Sequence, residues 1–166
     1  MKEFEANVSY KDTIKFIKKA HAGQKYGSMP YWKHPQEVAE TGRKIFGSKF
    51  DEDCMIASAL HDVIEDTEYN KDILSSIGYT DKVLDAVELV TKERSLSYEG
   101  NISRIVNSGN HIAMMVKFSD NYMNYHGDKS DWNPVKREKS QAKYLKSMQT
   151  LGSKLGISVN SDGTVK

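Results

Sequence analysis

Apolar residues recur along most of this chain at intervals of three and four, the spacing that collects them on one face of a helix. Ser9 with Asp12 resembles a capping box for a first helix, in which Ile14, Ile17 and His21 follow helical spacing and Gly23 marks the end. Gln24 to Lys33 reads as a loop. His34-Pro35 opens a second helix, because proline suits the first turn, and Val38, Ala39 and Ile45 are its apolar positions up to Gly47. A third helix begins near Asp51-Glu52-Asp53, whose carboxylates suit the positive end of the dipole, and runs through Cys54-Met55-Ile56-Ala57 into His61-Asp62 and beyond. A short helical piece spans Asn70 to Ile77 and stops at Gly78. Thr80 caps the next, with Val83, Val87 and Val90 on one side, and Ile102, Ile105 and Val106 mark another.

Two segments need more argument. The run His111 to Phe118 has the local apolarity of a buried strand, yet it passes into polar Ser119 to Asn124 without a turn signal, so one helix is predicted. Asn133-Pro134 starts a long basic helix with Tyr144, Leu145, Met148 and Leu151 facing inward and Lys136, Arg137, Lys139 and Lys143 nearby. No repeat, low-complexity tract or series of hairpins interrupts the pattern. The expectation is an all-α, single-domain helical bundle over residues 1–166, with a core of about 10–155 and a frayed tail of about 157–166.

Composition narrows the function classes. A chain of 166 residues is one domain by length, enough for a real core and too short for two ordinary ones. With 24 basic against 23 acidic residues the net charge is +1, which favours neither nucleic acid nor membrane as a partner, so any anion site must be local. The lone cysteine, Cys54, sits in an apolar run and reads as a small buried hydrophobe in a reducing cytoplasm. Met1-Lys2-Glu3-Phe4-Glu5 lacks the apolar stretch of a signal peptide, and no run approaches the roughly 20 apolar residues that cross a bilayer. A soluble, cytoplasmic protein is expected. Oligomeric state is not legible.

The end of the third helix is the oddity. Asp62, Glu65, Asp66 and Glu68 gather where the dipole is negative, with no Lys or Arg before Lys71, and their repulsion asks for a cation. At ~100° per residue, Glu65 stacks over His61 and Asp66 over Asp62 in two tiers. If His61 and Asp62 hold a metal, Glu65 and Asp66 are close enough to orient or deprotonate a water there. Imidazole nitrogen with carboxylate oxygen suits Mn, Fe, Co, Ni or Zn, and the absence of a second cysteine excludes thiolate clusters. A plain acidic helix end is the competing reading. His34, beside a proline, and Asp120, after an apolar run, are further candidates whose plain alternatives are a helix start and a solvated helix end.

Together, His34, His61-Asp62 and Asp120 resemble the H…HD…D order of the HD phosphohydrolase superfamily. The blocks His21-Ala22-Gly23-Gln24-Lys25, Pro30-Tyr31-Trp32-Lys33-His34-Pro35, Ala59-Leu60-His61-Asp62-Val63-Ile64-Glu65-Asp66-Thr67, Val90-Thr91-Lys92 and Lys117-Phe118-Ser119-Asp120-Asn121-Tyr122-Met123-Asn124 are similar to the hydrolase domain of RelA/SpoT proteins. The match spans about residues 10–155, and the PYxxHP and HDxxEDT blocks are its most specific parts. Lacking room for synthetase and regulatory domains, the chain resembles the small stand-alone hydrolases of the group, the metazoan SpoT homologue among them. The resemblance implies an HD-type bundle that removes pyrophosphate from the 3′ position of ppGpp and pppGpp, usually with manganese. It implies metal ligands His34, His61, Asp62 and Asp120, catalytic carboxylates Glu65 and Asp66, and a nucleotide pocket using Lys25, Asn124 and Tyr144.

The chemistry suits these residue types, since phosphate ester hydrolysis needs a nucleophilic hydroxide and neutralised phosphoryl oxygens, and a divalent cation supplies both. An alarmone, with its many negative charges, also needs cations in the pocket, hence Lys25. Solvent-exposed lysine and core aromatic are the plain alternatives for Lys25 and Tyr144. The chain departs from the family at Lys25-Tyr26, where two basic residues are common, at Lys117-Phe118-Ser119-Asp120, where KLAD is usual, and at Tyr122-Met123. No ligand is lost, but the substrate assignment loosens. Three readings follow: a (p)ppGpp 3′-pyrophosphohydrolase, a hydrolase of another nucleotide such as a deoxynucleotide or NADPH, and a non-catalytic nucleotide-binding module. Retention of four ligands and two clustered acids argues against the third.

Overall fold

Polar side chains placed just ahead of the helices set most of the boundaries in the computed structural model, which describes residues 8–166. The N-terminal stretch Met1 to Glu5, expected to lack a signal peptide, lies outside the described residues. Ser9 Oγ accepts from the Asp12 N–H at 3.1 Å and starts α1 (Tyr10–Ala20). Helix α2 spans Lys33–Phe46 and α3 spans Glu52–Leu60, the latter capped by Asp51 Oδ1 on the Cys54 N–H at 3.1 Å. After α4 (Val63–Asp66) come α5 (Lys71–Ile77), capped by Asn70, and α6 (Asp81–Val90), capped by Thr80. Ser97, Asn110 and Asn133 cap α7 (Tyr98–Ser108), α8 (His111–His126) and α9 (Pro134–Leu155) in turn. The His111 to Asn124 stretch is thus one helix, as its lack of a turn signal predicts.

Helix α8 is the spine of the bundle. It packs against α9 and α2 and also touches α3 and α6. One main core runs through Ile17, Leu60, Leu74, Leu84, Phe118 and Leu151, each fully buried. A smaller cluster forms where Phe50, Cys54 and Met115 meet beside α2. Cys54 is the buried hydrophobe its surroundings suggest, at 1 % exposure. Met148 and Leu151 of α9 are buried as expected, whereas Tyr144 and Leu145 are only half-buried.

Three local differences from expectation have physical causes. The Gln24 to Lys33 loop contains a two-stranded antiparallel pair, β1 (Lys25–Tyr26) and β2 (Met29–Pro30), turned by Gly27-Ser28 with Gly27 at φ +62°. The third helix is not continuous: α3 ends at Leu60, and α4 restarts after His61 and Asp62, whose φ, ψ are −59°, −25° and −105°, 0°. The break re-aims two polar side chains while the backbone stays near helical values. The tail is not frayed, because Val159 pairs with Val165, the Asn160 N–H donates to the Thr164 carbonyl at 2.8 Å, and Ile157, Val159 and Val165 pack on the core. No helix among the described residues is long and apolar enough to cross a membrane.

Candidate metal centre

Three separate segments deliver four polar side chains to one point. His34 comes from the first turn of α2, His61 and Asp62 from the break between α3 and α4, and Asp120 from the middle of α8. His34, His61 and Asp120 are 4 %, 4 % and 7 % exposed, and one ligand atom from each lies within 4.8 Å of the other two. His34 Nε2 is 3.2 Å from Asp120 Oδ1, and His61 Nε2 is 3.6 Å from the same oxygen. The structure thereby brings three of the four expected ligands into one set that could hold a divalent cation. Asp62 stands at its edge, with Oδ2 3.1 Å from His61 Nε2 and accepting a 2.5 Å hydrogen bond from the Tyr31 hydroxyl.

The state of His61 tests whether a metal fits. His61 Nδ1 is 2.6 Å from the Ser58 carbonyl oxygen, which can only accept, so the proton sits on Nδ1. In the neutral ring that leaves the Nε2 lone pair facing two carboxylates, and this buried atom makes no hydrogen bond. Acceptors facing acceptors at this spacing require a positive charge between them, and neutral imidazole with carboxylate is a donor set for a first-row divalent metal. Without one the ring holds a proton. Burial would push the His61 pKa down, but Asp62 and Asp120 outweigh it and hold the ring well above its usual value. For Asp120 burial pushes up, yet Lys117, His34 and His61 carry its carboxyl well below the ordinary range. Burial likewise opposes the lowering of Asp62, which His61 dominates.

Glu65 and Asp66 do not form a common tier. With α3 broken at His61, Glu65 turns into a cleft that it shares with Asp62, Tyr98 and three lysines, where its Oε2 is 3.5 Å from the Lys92 N–H. Asp66 does not line that cleft; its Oδ2 is 3.3 Å from the Tyr31 hydroxyl, and burial, then Asp62, raises its pKa. A chain of side chains supports it: His21 Nδ1 meets Gln24 Oε1 at 2.9 Å, and Gln24 Nε2 donates to the Asp66 carbonyl at 2.9 Å.

The expected substrate residues are spread more widely. Lys25 is exposed on β1. Asn124 is tied to the centre itself, donating to Asp120 Oδ1 at 3.3 Å and accepting from the Tyr26 hydroxyl at 3.4 Å. Tyr144 is half-buried, with its hydroxyl pushed up to about 12 by burial, then by Tyr98 and Asp120. Tyr26 stacks on His34, with ring centroids 4.5 Å apart and 14° between planes. Sequence reasoning assigned no role to Tyr31, Ser58 or Lys117. Ser58 and Lys117 each lie three residues before a candidate ligand, a spacing that could have flagged them. Tyr31 has the same spacing to His34 and is the tyrosine of the PYxxHP block, but it stands outside the helix, just after β2, so its contact with Asp62 emerges only in the fold.

No family model matches the chain, and no curated protein sequence matches it. Among solved structures, the chain is similar to a metazoan ortholog of SpoT, described as hydrolysing ppGpp and acting in starvation responses. The two share 19 % sequence identity with a TM-score of 0.65, over 94 % of each chain. The chain has the fold of that protein, as its motifs imply.

Proposed function

We propose that this chain is a metal-dependent nucleotide phosphohydrolase that releases pyrophosphate from the 3′ position of (p)ppGpp. The observation that carries the reading is the buried His34, His61 and Asp120 set, in which the Ser58 carbonyl turns the His61 Nε2 lone pair toward two carboxylates. The shared fold supports it, and so does the SpoT ortholog's described activity toward ppGpp. His34, His61, Asp62 and Asp120 would hold the ion, with Mn²⁺ proposed from the resemblance and Zn²⁺, Co²⁺, Ni²⁺ or Fe²⁺ sharing the donor preference. When bound, it lowers the pKa of water to about 7 and neutralises phosphoryl oxygens. Water oxygen bonds to the ribose-linked phosphorus, the P–O3′ bond breaks, and a proton passes to O3′. Glu65 and Asp66 handle that proton, and Lys25, Asn124 and Tyr144 contact the nucleotide. The reaction is assigned to the cytoplasm on the lone buried cysteine.

A panel of nucleotides with several divalent metals tests both reaction and substrate. Purified protein with Mn²⁺ should release pyrophosphate from ppGpp, and Glu65→Gln or Asp66→Asn should lower kcat about 10²–10⁴-fold with metal content unchanged. No hydrolysis of any nucleotide would leave the non-catalytic binding module. A second reading, hydrolysis of another nucleotide such as a deoxynucleotide or NADPH, is favoured by one feature: Tyr26 lays an aromatic face on His34 at the position where the family commonly has a second cation.

A further inference from the structure

Tyr31 reaches a candidate ligand and a candidate catalytic carboxylate at once, with its hydroxyl 2.5 Å from Asp62 Oδ2 and 3.3 Å from Asp66 Oδ2. A phenol keeps its proton near neutral pH and has only one to give, and the shorter distance assigns it to Asp62. The receiving oxygen is the same one that stands 3.1 Å from His61 Nε2, the nitrogen whose lone pair calls for a cation. Asp62 Oδ2 thus takes the phenol proton on one lone pair and has the other for whatever faces His61.

The hydroxyl is held there by a closed set of contacts. The Tyr31 N–H donates to the Gln24 carbonyl at 2.9 Å, and the Tyr31 carbonyl accepts from the His34 N–H at 3.0 Å, so the residue is pinned between the β1–β2 turn and the first turn of α2. Its ring packs on the ring of His21, with centroids 4.9 Å apart. His21 is 1 % exposed and is itself fixed through Nδ1 to Gln24 Oε1. Gln24 therefore holds the Tyr31 backbone with its carbonyl and the Asp66 backbone with its side-chain amide. Packing accounts for the ring at this position. It does not account for a hydroxyl aimed at two carboxylates.

We propose that Tyr31 is a positioning residue, whose hydroxyl orients Asp62 for the cation and sets the spacing between Asp62 and Asp66. This rests on the metal-dependent reading above and adds how the two carboxylates of that centre are held. A carboxylate that can rotate meets a metal in many orientations, whereas a hydrogen bond to the ligating oxygen selects one, and losing such support lowers metal affinity roughly 10–100-fold. Among the described residues no hydrogen bond joins Tyr31 to Lys25, Asn124 or Tyr144, so holding the nucleotide is not its task.

Mn²⁺ binding is titrated by calorimetry and by loss of the free-ion electron paramagnetic resonance signal in the full chain, as wild type, Tyr31→Phe and Tyr31→Leu. Tyr31→Phe keeps the ring on His21, should match the wild-type circular dichroism spectrum, and should bind Mn²⁺ roughly 10–100-fold more weakly. Tyr31→Leu, which loses the ring as well, should bind no better. At saturating Mn²⁺, Tyr31→Phe should lower kcat about tenfold with KM nearly unchanged, because the misplaced group is Asp66 and the nucleotide contacts are intact. Wild-type Mn²⁺ affinity in Tyr31→Phe overturns the positioning role, and so does a raised KM with unchanged kcat; hydrolysis by the wild type would then still uphold the enzymatic reading. Weaker Mn²⁺ binding in Tyr31→Phe, with no nucleotide hydrolysed by the wild type, upholds the role of Tyr31 at the metal and overturns the enzymatic reading. A wild type that binds no Mn²⁺ overturns both.

Discussion

The Ser58 carbonyl decides which nitrogen of His61 is offered to Asp62 and Asp120, so a backbone oxygen fixes the chemistry of a side chain three residues on. The three-residue spacing can flag the pair, while the hydrogen bond itself is seen only in the fold. The candidate ligands His34, His61 and Asp120 were legible because imidazole and carboxylate stand out beside apolar helical runs, but the Tyr31 contacts depend on a fold that spacing does not encode. Cys54 shows the same dependence in a simpler form. Its thiol is pushed up to about 12 by burial and then by Asp51, against 9.0 for a free thiol. In the native protein at pH 8 it should resist alkylation and react only in denaturant, which mass spectrometry of iodoacetamide-treated samples would show. The unfolded thiol ionises near pH 9 while the folded one does not, so this contribution to stability is intact below about pH 9 and falls as pH rises toward 12. Denaturant midpoints in Cys54→Ala should lose that alkaline slope.

At the scale of elements, caps explain why the helices were readable: Ser9, Asp51, Asn70 and Thr80 each satisfy an N–H that the helix start leaves open. The break at His61-Asp62 was not readable, because nothing local forbids a continuous helix there and only the side chains' destination favours the interruption. The β1–β2 pair escaped because two-residue strands are too short for any periodicity. Close helix packing makes a sharper prediction. Gly42 of α2 is buried against the Phe50 ring, and a Cβ there would overlap that ring. Gly42→Ala should therefore destabilise by about 1–3 kcal/mol despite the better helix propensity of alanine, measured by urea unfolding. A stabilised variant would mean that Phe50 can move aside at little cost.

The whole molecule is organised around α8, which touches α2, α3, α6 and α9 and carries Asp120, Lys117 and Asn124 on its way through. Ligand binding should thus be felt globally. At a free Mn²⁺ concentration near 100 times Kd, linkage gives about 2.7 kcal/mol, or roughly 5–10 °C in Tm for a chain of this size. Thermal melts with and without Mn²⁺ measure it, and His61→Ala should abolish the shift. Because His34, His61 and Asp120 lie far apart in sequence, their meeting closes long loops, and the prediction is that this site forms after the rate-limiting step of folding. A metal that binds only the assembled site acts after the folding barrier has been crossed. In stopped-flow experiments Mn²⁺ should therefore slow unfolding about in proportion to the stability gained and leave the refolding rate nearly unchanged. The buried centre would then set how long each molecule survives once folded, as well as what it does.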